Sequence, residues 1–292
     1  MTRLFAFAAA LLLSGVAVSS ACTAVSAAPG GDVQFRLNAE RNGDLQASFV
    51  GGGDHNKNQW SSNFRPNQLA GLDLARLRTG GDHAIQFAVI RDAGRLDCSG
   101  RGGSSRASGA CNFTASEPFN AFLVGKGMRR PTNGEGMSMM ALDVRREIVE
   151  ALHASHYPVP SVDDLLALTA LGVDSGYISG LANVGYRPKD LDALVQFKAL
   201  DITPAFIQGY VRHGYANLEP DHLVQLKALD INADYIASFE RVGYRNLTVE
   251  QLVQMKALGV TAEFARQAQQ ASRERLTPER LVELRAVGFI PR

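Results

Sequence analysis

The chain has 292 residues, 30 Lys and Arg against 29 Asp and Glu, a formal net charge of +1 and a mean hydropathy of −0.07. Charge balanced in this way leaves no concentrated positive field, so nucleic acid is not an expected partner. After residue 27 no apolar run is long enough to cross a bilayer as a helix.

The first stretch has Arg3, an apolar run from Leu4 to Leu13 and then small residues, the layout of a secretory signal with cleavage expected after Ala27. Cys22 offers an alternative, because Ser20 and Ala21 before it suit lipidation of a new N-terminus. Ser19 departs from the aliphatic residue that such a site favours. A periplasmic or secreted protein is expected, attached to a membrane only if Cys22 is lipidated.

From Asp32 to about Phe113 the pattern has period two. Val33, Phe35, Leu37 and Ala39 alternate with polar residues, as a strand buried on one face requires, and Leu45, Ala47 and Phe49 repeat the pattern after a turn at Asn42-Gly43. Ile85, Phe87 and Val89 form a third set, and Cys111 and Phe113 share a face on a returning strand. The segment Phe64 to Leu77 has room for a short helix. With Cys22 removed, Cys98 and Cys111 are an even pair in an oxidising compartment. They flank the Gly-rich SGRGGSSRASGA, flexible enough to bring them together, and a disulfide across a hairpin is expected; a metal or redox pair lacks CxxC spacing and a neighbouring His.

Residues 118–142 combine Pro, Gly and basic residues and are expected to connect two domains. Met137, Met139 and Met140 at its end are expected to pack into the helical part that follows.

The remainder repeats. Leu165, Leu194, Leu223, Leu252 and Leu281 stand 29 residues apart, within the words LLALTALGV, LVQFKALDI, LVQLKALDI, LVQMKALGV and LVELRAVGF. Each period reads as two helices. The first is expected to open at Arg187, Glu219, Thr248 or Thr277, with a buried stripe exemplified by Leu191, Leu194, Phe197 and Leu200. The second is expected to open at Asp174, Thr203, Asn232 or Thr261 and to close at Gly185, Gly214 or Gly243 in the left-handed conformation. The tyrosine after each glycine is placed to fold back on the helix it follows. An unpaired second helix around Ile148, Val149 and Leu152 precedes the first full period, and the last second helix has lost its Gly-Tyr ending. His153 and His156 are three apart, as metal ligands can be, but His156 occupies the glycine position of its siblings and reads as a helix-terminus residue.

No HExxH, GxSxG, GxxxxGK or strand-to-helix GxGxxG motif occurs. No catalytic residue, cofactor or metal site is therefore expected. Asp163 and Asp164 read as acidic residues complementing a helix N-terminus rather than a catalytic pair. Gln196, Gln225 and Gln254, with Lys198, Lys227 and Lys256, recur once per period and would align as polar rows, either a surface for a partner or a solvated face copied by duplication.

The unit LVxLKALGVTxxYIxxxxxxGYxxLTxxxL over residues 143–292 resembles the 29-residue helical repeats of bacterial envelope proteins. These include the extracytoplasmic tails of sensor-type zinc metallopeptidases related to the beta-lactam receptor. The resemblance implies an envelope setting and an interaction role. It does not extend to the peptidase, whose HExxH helix and membrane helices the chain lacks.

The expected architecture is α+β: a signal peptide at 1–27, a small antiparallel β domain at 28–117, a linker at 118–142 and an α-solenoid of two-helix repeats at 143–292. The expected function is non-catalytic binding of a protein or peptide in the envelope. The alternative is a carbohydrate-binding or hydrolytic protein with its site in the β domain, around Asp54, His55, Trp60 and His83.

Overall fold

A computed structural model describes residues 33–51 and 58–290. The protein is mixed α+β. Seven strands form one antiparallel sheet: β1 (Val33–Ala39), β2 (Leu45–Gly51), β3 (Asn58–Phe64), β4 (Leu69–Ala70), β5 (His83–Arg91), β6 (Gly94–Gly103) and β7 (Arg106–Ala115). Their order is β3-β2-β1-β7-β6-β5-β4. The alternation read in β1 places Val33, Phe35 and Leu37 in the core, with Gln34, Arg36 and Asn38 outside. Gly43, at φ +97°, turns β1 into β2, and the Asn42 side chain bridges to Asp44. The sheet curls: β4 follows β3 in the chain yet pairs at the far edge, and the guanidinium of Arg91 on β5 lies 5.7 Å from the Phe64 ring on β3. A short helix, α1 (Leu74–Arg78), begins in the segment from Phe64 to Leu77 expected to hold one and ends one residue beyond it.

The Cys-flanked stretch is not a flexible loop. Cys98 and Cys111 are directly opposed in the β6/β7 ladder and joined by a disulfide, their Cα atoms 4.0 Å apart. The turn is confined to Ser104 and Ser105, both left-handed, which matches the twist of a two-residue hairpin. The glycines serve close approach instead of mobility. A Cβ at Gly100 would stand 2.1 Å from the Ser108 carbonyl oxygen, and one at Gly109 2.2 Å from that of Ser99.

Twelve further helices follow: α2 (Glu117–Gly125), α3 (Asn133–Leu142), α4 (Arg146–Ala154), α5 (Val162–Ala170), α6 (Ser175–Asn183), α7 (Leu191–Ala199), α8 (Pro204–Val211), α9 (Pro220–Ala228), α10 (Ala233–Arg241), α11 (Val249–Ala257), α12 (Ala262–Ala271) and α13 (Pro278–Ala286). Their caps reveal the period more sharply than the Leu-Lys words do. The odd-numbered helices from α3 have Thr132, Ser161, Asp190, Glu219, Thr248 and Thr277 at the N-cap position, all but Glu219 accepting from a first-turn amide. The even-numbered ones have Ser116, Arg145, Asp174, Thr203, Asn232 and Thr261 there, all but Arg145 accepting in the same way, and every step is 29 residues. The left-handed stops keep the same step, through Asp143, Gly172, Asp201, Asp230, Gly259 and Gly288 in one row and Gly127, His156, Gly185, Gly214 and Gly243 in the other.

Residues 118–142, expected as a connection, contain α2 but for its first residue and all of α3, so the repeat begins one full period earlier. Its unpaired second helix is α2, not the helix around Ile148. Gly and Met made the segment look irregular, but Thr132 and Glu135 form a capping box and Met139 and Met140 are buried, which specifies a helix. Secondly, α7 opens at Asp190, whose carboxylate accepts from the Ala193 amide at 2.8 Å, and not at Arg187. Thirdly, Leu200 is only half-buried, whereas Leu191, Leu194 and Phe197 are in the core.

First helices pack on first helices (α3 on α5, α5 on α7, α9 on α11, α11 on α13) and second on second (α4 on α6, α6 on α8, α8 on α10, α10 on α12). At the other end α3 packs against β6 and β7. The Arg91 guanidinium donates to the carbonyls of Met140 and Ala141 at 2.6 and 2.8 Å, closing the C-terminus of α3, and the Arg146 amide donates to Asp92 at 2.8 Å. One continuous buried cluster runs from Val33 on β1 to Leu281 on α13.

Candidate binding surface

The recurring lysines are part of the packing. Lys198 lies 4.6 Å from the Tyr177 ring, Lys227 5.0 Å from Phe206 and Lys256 4.9 Å from Tyr235, and Arg285 takes the same place 5.4 Å from Phe264. In each case a first helix reaches the aromatic residue of the preceding second helix. Lys227 also meets the Asp201 carboxylate at 3.4 Å, Lys256 donates to the Asp230 carbonyl at 2.9 Å, and Arg285 donates to the Leu258 carbonyl at 3.4 Å. Every such partner stands at the negative end of the preceding first helix. A cation over a ring contributes about 0.5–1 kcal/mol at a partly exposed position, so the row staples successive periods together.

Buried phenols form a second staple. Tyr177 donates to the Ile202 carbonyl at 2.6 Å, Tyr210 to that of Ile231 and Tyr235 to that of Val260 at 3.1 Å. The tyrosines after the helix-ending glycines reach forward, not back. Tyr186 stacks on Phe197 with ring centroids 5.7 Å apart, while Tyr215 and Tyr244 donate to the carbonyls of Leu247 and Leu276 at 2.5 and 3.0 Å. Only their backbone amides turn back, to Leu181, Tyr210 and Phe239, as a left-handed helix ending dictates. Arg187 is a staple too, donating to the carbonyls of Ser155 and His156 at 3.1 and 2.6 Å.

What packing leaves over is a ridge. Gln196, Gln225 and Gln254 are exposed on first helices. One turn later in each helix, and again 29 residues apart along the chain, stand Leu142, Leu171, Leu200, Leu229, Leu258 and Val287, the residues just before the left-handed stops. Leu142, Leu171 and Leu258 are 40, 39 and 42% exposed and Val287 81%, with Leu200 and Leu229 half-buried. Single exposed leucines are ordinary; here the position recurs in every period, exposed at both ends of the array and packed against the core at Leu200 and Leu229. The sequence carried its signal: ALDV at 141–144 is the same word as ALDI at 199–202 and 228–231.

The alternative set in the sheet is partly visible. Asp54 and His55 lie outside the described residues. Trp60, on edge strand β3, stacks on Phe49 with centroids 5.0 Å apart, and His83, on β5, shares a 2.9 Å hydrogen bond with the Gly80 carbonyl of its own turn. Four strands separate β3 from β5 in the sheet order. His153 and His156 are both exposed, and His156 is left-handed at φ 59°, the conformation of its glycine siblings. Among the described residues no three His, Cys, Asp or Glu side chains gather as a metal site would require. No protein-family model matches this chain, and no curated protein or solved structure matches it.

Proposed function

We propose that the protein is an exported, non-catalytic binding protein of the bacterial envelope, in which an α-solenoid of two-helix repeats presents a ridge to a protein or peptide partner. The observation that supports it most is the apolar row at the first-helix C-termini, Leu142 to Val287, flanked by the exposed glutamines 196, 225 and 254. An apolar row edged with neutral donors and acceptors suits a polypeptide, because the leucines gain by desolvation and the glutamines match backbone groups. The lysines belong to the scaffold in this reading. The Cys98–Cys111 disulfide is compatible with an oxidising compartment, which supports export. Whether the mature chain is free or held by lipid at Cys22 is a question for mass spectrometry of its N-terminus.

The test is photo-crosslinking in the envelope from Gln225, on the ridge, and from Glu240, on a second helix. A discrete adduct is expected from Gln225 alone, lost on joint Leu171→Ser, Leu200→Ser and Leu229→Ser substitution in a chain that keeps its helical circular dichroism. Equal adducts from both positions, or an adduct indifferent to the serines, would remove the reading.

A further inference from the structure

The turn between β6 and β7 is at odds with its own sequence. Left-handed residues in a two-residue turn favour glycine or asparagine, and Gly102 and Gly103 stand immediately before it, yet the left-handed positions are Ser104 at φ 50° and Ser105 at φ 69°. Their amides donate to the carbonyls of Thr79 and Leu77 at 2.8 and 2.9 Å, but neither hydroxyl has a hydrogen-bond partner among the described residues. Both serines line a cleft of about 700 Å³ at the open end of the β1/β7 ladder, with Asn38, Ala39, Arg41 and Arg106. Asn38 and Arg106 are directly opposed in that ladder, Arg41 stands in the turn between β1 and β2, and all three are exposed.

Charge in this cleft is one-sided. The arginines of β5 and β6 are all paired, Arg91 with Asp143, Arg95 with Asp97 and Arg101 with Asp82. Arg41 and Arg106 meet no carboxylate among the described residues, and none forms part of the wall. Of the acidic residues nearby, Asp44 accepts from the Asn42 side chain at 3.0 Å, Asp82 is held by Arg101 at 2.7 Å, and Glu40 lies outside the wall. No apolar side chain larger than that of Ala39 faces the cleft, so nothing in it suits a hydrocarbon.

We propose that this cleft binds the phosphate group of a phosphate ester. The guanidinium forks of Arg41 and Arg106 match phosphate oxygens and neutralise their charge, and the serine hydroxyls and the Asn38 amide complete the shell. These donors come from three segments, the end of β1, the β1–β2 turn and the β6–β7 turn. They therefore approach from three sides, and a tetrahedral phosphate offers an oxygen to each, whereas a carboxylate has two oxygens in one plane. Two guanidinia serve a single phosphate and are too few to follow a nucleic-acid backbone. The site lies in the sheet and stands or falls independently of the leucine ridge.

The experiment is calorimetric titration of the full chain with glycerol 3-phosphate, with acetate as the carboxylate control, beside co-flotation with vesicles of phosphatidylglycerol. Saturable binding of glycerol 3-phosphate is expected, with acetate weaker by roughly tenfold or more. Binding of the soluble ester alone identifies a soluble phosphate ester as the natural ligand; binding of both the ester and the vesicles identifies a lipid headgroup. Joint Arg41→Gln and Arg106→Gln should weaken binding of the ester by more than roughly tenfold. Joint Ser104→Gly and Ser105→Gly should weaken it by roughly tenfold in a chain whose Tm is kept or raised, because glycine relieves the left-handed backbone while removing both hydroxyls. No saturable binding by the parent chain overturns the proposal, as does acetate binding as tightly as the ester, binding of vesicles without the ester, or undiminished binding by either folded double variant.

Discussion

All seven tyrosines of the chain lie in the helical repeats, and burial raises the pKa of every one. Tyr157, Tyr186, Tyr215 and Tyr235 are pushed up to about 12 from the ordinary 10.0 by desolvation, and Tyr177 and Tyr210 go higher. A raised phenol pKa means that the fold favours the protonated form. Its contribution is complete below pH 10.0 and is lost as pH rises through about 12. Tyrosinate absorbance should therefore lag in the pH window from 10 to 12 and then rise together with loss of helical circular dichroism; smooth ionisation near pH 10 in an intact fold would contradict this. Individual phenols differ. Tyr210→Phe leaves the buried Ile231 carbonyl without its donor and should cost about 1–3 kcal/mol in urea unfolding. Tyr186→Phe should cost less, because that ring contributes stacking on Phe197 and its hydroxyl has no partner among the described residues.

At the scale of elements the helices from α2 to α13 are short, eight to ten residues, and none is expected to stand alone in water. Their ends carry the specification. Asp174, Thr203, Asn232 and Thr261 each accept from the amide three residues on, at 2.7, 3.1, 2.9 and 3.1 Å, as their residue types predict. At the opposite ends a non-glycine residue at a left-handed stop costs about 1–2 kcal/mol. His156, at φ 59°, bears that cost where its siblings have glycine. His156→Gly should consequently stabilise the protein by about 0.5–1 kcal/mol after the entropy that glycine gains on unfolding is set against it. A destabilised His156→Gly chain in thermal unfolding would mean that the ring does something at this corner beyond ending α4.

For the whole molecule, the question is how far a local change travels. The sheet and the repeats share one buried cluster, joined where Arg91 closes α3 and Asp92 accepts from the Arg146 amide. In the proposed solenoid each period packs on its neighbours, so coupling should fade along the array. Replacing Cys98 and Cys111 by serine removes a link spanning 13 residues and should cost about 2–3 kcal/mol. Hydrogen exchange should then rise in β5 to β7 and in α2 to α4, with α9 to α13 unchanged. Uniform acceleration to α13 would show that the cluster unfolds as a single unit.

Legibility followed the length scale of the forces. The two secondary-structure periods, the 29-residue repeat, the caps of the second helices and the pairing of Cys98 with Cys111 were readable because each depends on residues close in sequence or on a pattern copied several times. The first period is hard to read at α2 and α3 because it has the caps and stops of its siblings, Ser116, Thr132 and Asp143, without the leucines and lysines that make the later periods conspicuous. Arg187-Pro188 looked like a helix start on local grammar; the cap three residues on, Asp190, prevails because it keeps the register of α7 with its neighbours. Sequence alone also determined that lysine and glutamine recur together. Only the tertiary structure separated them, turning Lys198, Lys227 and Lys256 inward over aromatic rings and leaving the glutamines and the leucine ridge outside. The reason is physical: a periodic sequence fixes which residues are equivalent, but which face meets the next period depends on the angle at which helices stack. That angle is set by side chains 21 to 32 residues apart acting together.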